Sequence, residues 1–77
     1  MKITSIEYEY LEKVGRKIAL LREQQGFTQQ QLADLANLDI AVLKQIENGM
    51  IDIPLVYMFW IQKSLNITPG EFYKDLN

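Results

Sequence analysis

Twenty residues, Gln29 to Asn48, read QQQLADLANLDIAVLKQIEN and constrain the fold more than any other stretch of this chain. Thr28 followed by Gln31 has capping-box spacing, so a helix is expected to open at Gln29 with its first backbone N–H groups met by side chains. Leu32, Leu35 and Ala36 recur behind it at helical spacing. Asn37 stands where that helix must close, because asparagine is, after glycine, the residue best able to take the left-handed conformation that ends helices. Asp39 is placed to cap a second helix. Over Ile40 to Asn48, Leu43 and Ile46 fall on one face, and Ala41, Lys44, Gln45 and Asn48 on the opposite one. Two short helices joined by a three-residue turn make a helix-turn-helix.

The window resembles the helix-turn-helix of the Cro/C1 (Xre) class of bacterial and phage regulators. In that likeness Gln29 opens the first helix, Ala33 is the small residue where the two helices touch, and Leu43 plugs the second helix into the core. Asn37 replaces the usual turn glycine. The match extends through Val14 to Glu23 (VGRKIALLRE) before the window and Ile46-Glu47-Asn48-Gly49 after it, and covers roughly residues 11 to 76. It implies an all-α, five-helix, lambda-repressor-like DNA-binding domain with a central helix-turn-helix. The implied function is that of a homodimeric transcriptional regulator, laying residues 40–48 in the major groove of double-stranded DNA at each half of a palindromic operator.

The flanks read as three more helices. Leu11, Val14, Ile18 and Leu21 continue at helical spacing, whereas Ile6, Tyr8 and Tyr10 alternate with Glu7 and Glu9 as in a strand. A helix is therefore expected from about Tyr8 to Gln25, with residues 1–7 an extended arm. Gly26 ends it and Phe27 drops into the core. Past Gly49, a loop leads to Asp52-Ile53-Pro54, where proline suits a first helical turn, and a fourth helix should run from Ile53 to Leu65. Asn66 stops it. Thr68-Pro69-Gly70-Glu71 then combines an N-cap, a first-turn proline and a capping glutamate, opening a fifth helix to about Asp75. The expected organisation is one domain over residues 1–77, with the C-terminal helices in 53–76.

Composition removes most other functions. The chain has 77 residues, no cysteine and no histidine. Disulfides, zinc fingers, thiol nucleophiles and imidazole bases are thereby excluded, and no enzyme, metal or cofactor is expected. A chain this short buries only about 60 to 65% of its extended surface, which leaves a modest core and a reason to find a partner. The longest nearly unbroken apolar run, Ile53 to Ile61, has nine residues including a proline, against roughly 20 needed to span a bilayer. The start MKITSIEYEY lacks a signal-peptide core, so a cytoplasmic protein with no membrane partner is expected.

Net charge is −2, from eight Lys and Arg against ten Asp and Glu. Residues 13–22 hold Lys13, Arg16, Lys17 and Arg22 with no acid, whereas residues 28–54 hold Lys44 alone against Asp34, Asp39, Glu47 and Asp52. The half expected to read DNA is thus the acidic half, opposite to the usual footprint of a nucleic-acid binder.

The resemblance assigns roles to particular residues. Arg22 at the end of the first helix should bond Glu47 at the end of the recognition helix and orient it; taken alone, the two are also readable as separate surface charges. Thr28 and Gln29 on one side, and Asn48 on the other, match phosphate contacts, although Gln29 by itself is equally an ordinary first-turn glutamine. Base reading falls to Ile40, Ala41, Lys44 and Gln45. Gln45 can pair with adenine, Lys44 can donate to guanine or a phosphate, and Ile40 and Ala41 can press on thymine methyls.

The fourth helix carries Leu55-Val56-Tyr57-Met58-Phe59-Trp60-Ile61. Met58, Ile61 and Leu65 supply a core stripe, which leaves Tyr57, Trp60 and part of Phe59 in excess. They either lie under the arm or last helix, where Phe72 and Leu76 also need cover, or form an interface with Phe72. By resemblance that interface is a two-fold dimer through the C-terminal helices. The charge pattern keeps a second function open: a protein-interaction module of the same fold, whose Ile40, Ala41, Met50, Ile51 and Ile53 contact a protein partner instead of DNA.

Overall fold

The computed structural model describes residues 5–76. Five helices follow one another: α1 (Ser5–Gln24), α2 (Gln29–Leu35), α3 (Ile40–Glu47), α4 (Leu55–Ser64) and α5 (Pro69–Tyr73). No strand occurs among the described residues, and no helix among them is long and apolar enough to cross a membrane. α1 packs on α3, α3 on α2, α2 on α4 and α4 on α5.

One device ends the first four helices. Gly26, Asn37, Gly49 and Asn66 all have positive φ, at 77°, 57°, 68° and 56°. In each case the next N–H reaches back across the last turn: Phe27 to the Arg22 carbonyl, Leu38 to Ala33, Met50 to Gln45 and Ile67 to Gln62, all at 2.9–3.0 Å. These are Schellman closures, which satisfy carbonyls a helix end would leave bare and turn an apolar residue back against the helix.

The starts are set by side chains. Gln31 N–H donates to Thr28 Oγ1 at 3.1 Å, and Thr28 N–H to Gln31 Oε1 at 2.8 Å. Glu71 N–H donates to Thr68 Oγ1 at 3.1 Å, with Pro69 in the first turn. Asp39 differs from expectation: it occupies the N-cap position of α3, but its side chain makes no capping hydrogen bond. The connection from α2 to α3 spans residues 36–39, one longer than the expected three-residue turn, because Ala36 already caps α2. Two other boundaries move. α1 begins at Ser5, so residues 5–7 are helical where an arm was expected, and the rest of that arm, residues 1–4, lies outside the described residues. α4 begins after Pro54, which serves as its cap, while the Asp52 carboxylate accepts from Ile53 N–H at 3.0 Å.

The core joins Val14 and Ile18 of α1, Leu32 and Ala33 of α2, Leu43 and Ile46 of α3, Met58 and Ile61 of α4, and Phe72 of α5, with Ala36, Leu65 and Leu76 at the helix ends. This corrects the assignment of Phe72 to a dimer interface. It is 0% exposed, since α5 is a single short turn that can hold its place only by sinking its largest side chain into the bundle. Lys17 lies over the Phe72 ring, 5.4 Å from its centre, and pairs with Asp75, binding the chain's end to α1.

Candidate nucleic-acid interface

With Leu43 and Ile46 driven wholly inward, the helical period turns Ala41, Lys44 and Gln45 outward, and Asn48 is exposed just past the helix end. Ile40 is divided between surface and core, half-buried against the apolar cluster. Thr28 is exposed, its hydroxyl accepting from Gln31 N–H, and Gln29 is half-buried at the start of α2.

Behind this face sits a polar node joining three helices. Arg22 Nε donates to Glu47 Oε2 at 2.8 Å, and Arg22 Nη2 to Glu47 Oε1 at 3.2 Å. Arg22 Nη1 donates to the Phe27 carbonyl at 2.9 Å, and Gln29 Nε2 to Glu47 Oε1 at 3.0 Å. Glu47 is only 8% exposed. Its hydrogen bond raises the Arg22 guanidinium above its ordinary value despite desolvation, so the arginine stays charged throughout the folded range. A buried ion pair adds little net stability over apolar packing, but losing one partner strands the other. The pair ties the end of α1 to the end of α3 and, through Arg22 Nη1, to the loop before α2. The Gln29 bond was not legible in the sequence, because it spans 18 residues and depends on how α2 meets the end of α3.

The electrostatics around the face are sparse in positive charge. Lys44 is the one cation in residues 28–54, and Asp34, Asp39 and Asp52 are exposed. Lys17 pairs with Asp75 on the α5 side. Arg16 keeps a loose, exposed contact to Glu12 at 3.7 Å. In the loop after α3, Met50 and Asp52 are exposed while Ile51 and Ile53 fold back against the core. Among the described residues no cluster of three or more His, Cys, Asp or Glu side chains is placed to hold a metal.

α4 carries an apolar face that differs in part from the one expected. Trp60 packs against the core and stacks on Tyr57, with ring centres 5.5 Å apart. Of the expected residues Phe59 is exposed (54%), and beside it stand Leu55 (85%) and Val56 (48%), which were not expected. They border an open groove of about 550 Å³ closed on its far side by Pro69 and Tyr73. Leu55, one helical turn before Phe59, was the available signal for the rest of the face.

This architecture has clear relatives. A family model described as helix-turn-helix (HTH_3) matches residues 18–72. The competence pilus inhibition repressor of Acinetobacter baylyi is 30% identical over 60 residues, which make up 78% of this chain and 54% of that protein, so the chain spans about half the length of this relative. The restriction-modification controller protein C.AhdI from Aeromonas hydrophila superposes with a TM-score of 0.78 at 32% identity, over 80% of this chain and 94% of that one. The wild-type controller C.Esp1396I gives 0.80 at 30% identity, over 87% of each chain. An HTH_3 family transcriptional regulator from Vibrio cholerae shares the fold, with a TM-score of 0.82 at 21% identity over 91% of this chain and 40% of that one. These relatives are regulators, not enzymes. With a match over residues 18–72 and a helix-turn-helix built from α2 and α3, the chain belongs to the HTH_3, or Xre-type, helix-turn-helix family.

Proposed function

We propose that this chain acts in the cytoplasm as a homodimeric transcriptional regulator, binding double-stranded DNA sequence-specifically with α3 in the major groove of each half of a palindromic operator. The observation that carries the reading is the outward face of α3, where Lys44 and Gln45 stand beside Ala41 and Asn48 on a helix whose angle the buried Arg22–Glu47 pair fixes. Relatives named as a repressor and as controller proteins point the same way. Gln45 reads adenine, Lys44 takes guanine or a phosphate, Ala41 and the exposed part of Ile40 press on thymine methyls, and Thr28, Gln29 and Asn48 position the backbone. A two-fold operator calls for a two-fold protein. Leu55, Val56 and Phe59 supply an exposed apolar face for it, and such patches commonly prove functional.

The shortage of cations favours a second reading, in which the same fold docks a protein partner. Binding to a random duplex pool at low salt, followed by sequencing, separates the two. Recovery of a palindrome is expected. With Lys44 and at most Arg16 per half-site, about two to four phosphates are neutralised by the dimer, so the log–log salt slope should have a magnitude of roughly 2 to 4 at about 0.9 per contact. Lys44→Ala should flatten it. Gln45→Ala should leave the slope unchanged and cost about 1 to 3 kcal/mol of discrimination at one base pair per half-site. If no duplex binds, the interaction-module reading takes over.

A further inference from the structure

Gln29 is a phosphate contact in the reading above, and its amide is already half engaged. The amide nitrogen carries two protons. One goes to Glu47 Oε1 at 3.0 Å. A carboxylate can only accept, so the amide cannot turn round without setting its own carbonyl oxygen against Glu47. The nitrogen is thereby held in one orientation. Its second proton remains available, on a residue that is only partly buried.

Glu47 cannot drift either. Arg22 grips both of its oxygens and uses Nη1 to hold the Phe27 carbonyl, two residues before Gln29. The segment entering α2 is thus tied to the end of α3 twice, at Phe27 through Arg22 and at Gln29 directly. A donor on α2 is kept in register with the face of α3 that meets the bases. Arg22 also neutralises Glu47 at 2.8 Å, so a carboxylate close to the DNA backbone need not repel it.

We infer that Glu47 is a positioning residue for DNA binding, holding one Gln29 amide proton so that the other is aimed at a DNA phosphate. The inference rests on the DNA-binding reading. The buried pair then acts on DNA affinity through Gln29 as well as through the fold. The contact carries no sequence information. Because glutamine is neutral, it also displaces no counterion of its own, and its loss lowers affinity without changing the salt slope. That behaviour separates it from Lys44.

The test uses the full chain and a duplex recovered by selection. Gln29→Met keeps the side-chain length and removes both protons. Binding should weaken on the order of tenfold per half-site, as expected for a lost charge-assisted hydrogen bond, equally on matched and mismatched duplexes and at constant slope. Glu47→Gln should weaken binding more in the otherwise unaltered chain than in the Gln29→Met background, the excess being the part of its effect that passes through Gln29. Circular dichroism melts identify any loss of folding in Glu47→Gln. Nuclear magnetic resonance of the unaltered chain supplies a second readout, in which one of the two Gln29 amide protons should move strongly on adding DNA. Undiminished binding by Gln29→Met, additive losses in the two backgrounds, or two unresponsive amide protons each overturn the inference. A chain that binds no duplex at all defeats the DNA-binding reading and takes this inference with it, whereas one that binds but ignores Gln29→Met defeats this inference alone.

Discussion

Gly15→Ala puts a single methyl group where α1 comes up against the end of α3. A Cβ at residue 15 would lie 2.4 Å from the Ile46 carbonyl oxygen and 2.6 Å from that of Glu47. A relaxed carbon–oxygen contact needs about 3.3 Å, so α1 and the end of α3 would have to part by roughly 0.9 Å. Both obstacles are backbone, and neither can rotate away. In α1 alone the substitution is favourable, because alanine is better than glycine in a helix interior by about 0.8–1 kcal/mol. Against that stands overpacking of about 1–3 kcal/mol. Parting the helices also stretches the Arg22–Glu47 pair, whose complete rupture costs about 3–5 kcal/mol in the buried limit. The net expectation is a loss of about 2–4 kcal/mol, out of roughly 4–12 kcal/mol for a chain of this length. At about 4–8 °C per kcal/mol, the melting midpoint should fall by roughly 8–32 °C. Thermal and urea melts followed by circular dichroism measure it. Gly70→Ala is the internal control, since Gly70 is also helical, has no positive φ and has nothing within 4 Å of its would-be Cβ. It should leave stability unchanged or raise it slightly. If Gly15→Ala proves as stable as the unaltered chain or more so, α1 and α3 do not approach this closely and the account of how the recognition helix is seated is wrong.

Three further outcomes follow from the same geometry. Arg22→Met and Glu47→Leu should each destabilise by about 2–4 kcal/mol, and the double substitution by less than either, because no charge is then stranded; additive losses in urea melts would show that the two residues do not interact. Leu55→Asp and Phe59→Asp should shift a dimer to monomer in sedimentation equilibrium while keeping helical signal, whereas Phe72→Ala should cost about 3–5 kcal/mol of folding stability, as for any large core side chain; a Phe72 variant that dissociates but stays folded contradicts its burial. Lys17 holds the Asp75 carboxyl below the usual carboxylate range. Its contribution is therefore present above the ordinary value of about 4 and disappears as pH falls through the lower folded-state value. Asp75→Asn should be less stable than the unaltered chain at neutral pH and indistinguishable from it in strong acid, and a gap that persists in acid refutes the pairing.

What the sequence determined by itself is the set of features decided within one or two turns of chain. Thr28 with Gln31 and Thr68 with Glu71 cap helices because donor and acceptor lie three residues apart. Asn37 and Asn66 close helices because a left-handed residue lets the next N–H reach back five positions. Such interactions are satisfied before any two helices meet, so the five helices and the outward face of α3 were legible. Tertiary structure alone decided what depends on which surfaces come together. Phe72 and Phe59 are both C-terminal aromatics, yet one is core and the other exposed, because α5 docks through its ring while that face of α4 is left uncovered. Lys17 belongs to the chain's end because Asp75, 58 residues away, is folded beside it. Gln29 answers to Glu47, and Gly15 to the carbonyls ending α3, only because α1, α2 and α3 converge at one point. A contact between distant residues depends on how every intervening element packs, and no local pattern of residue types carries that information.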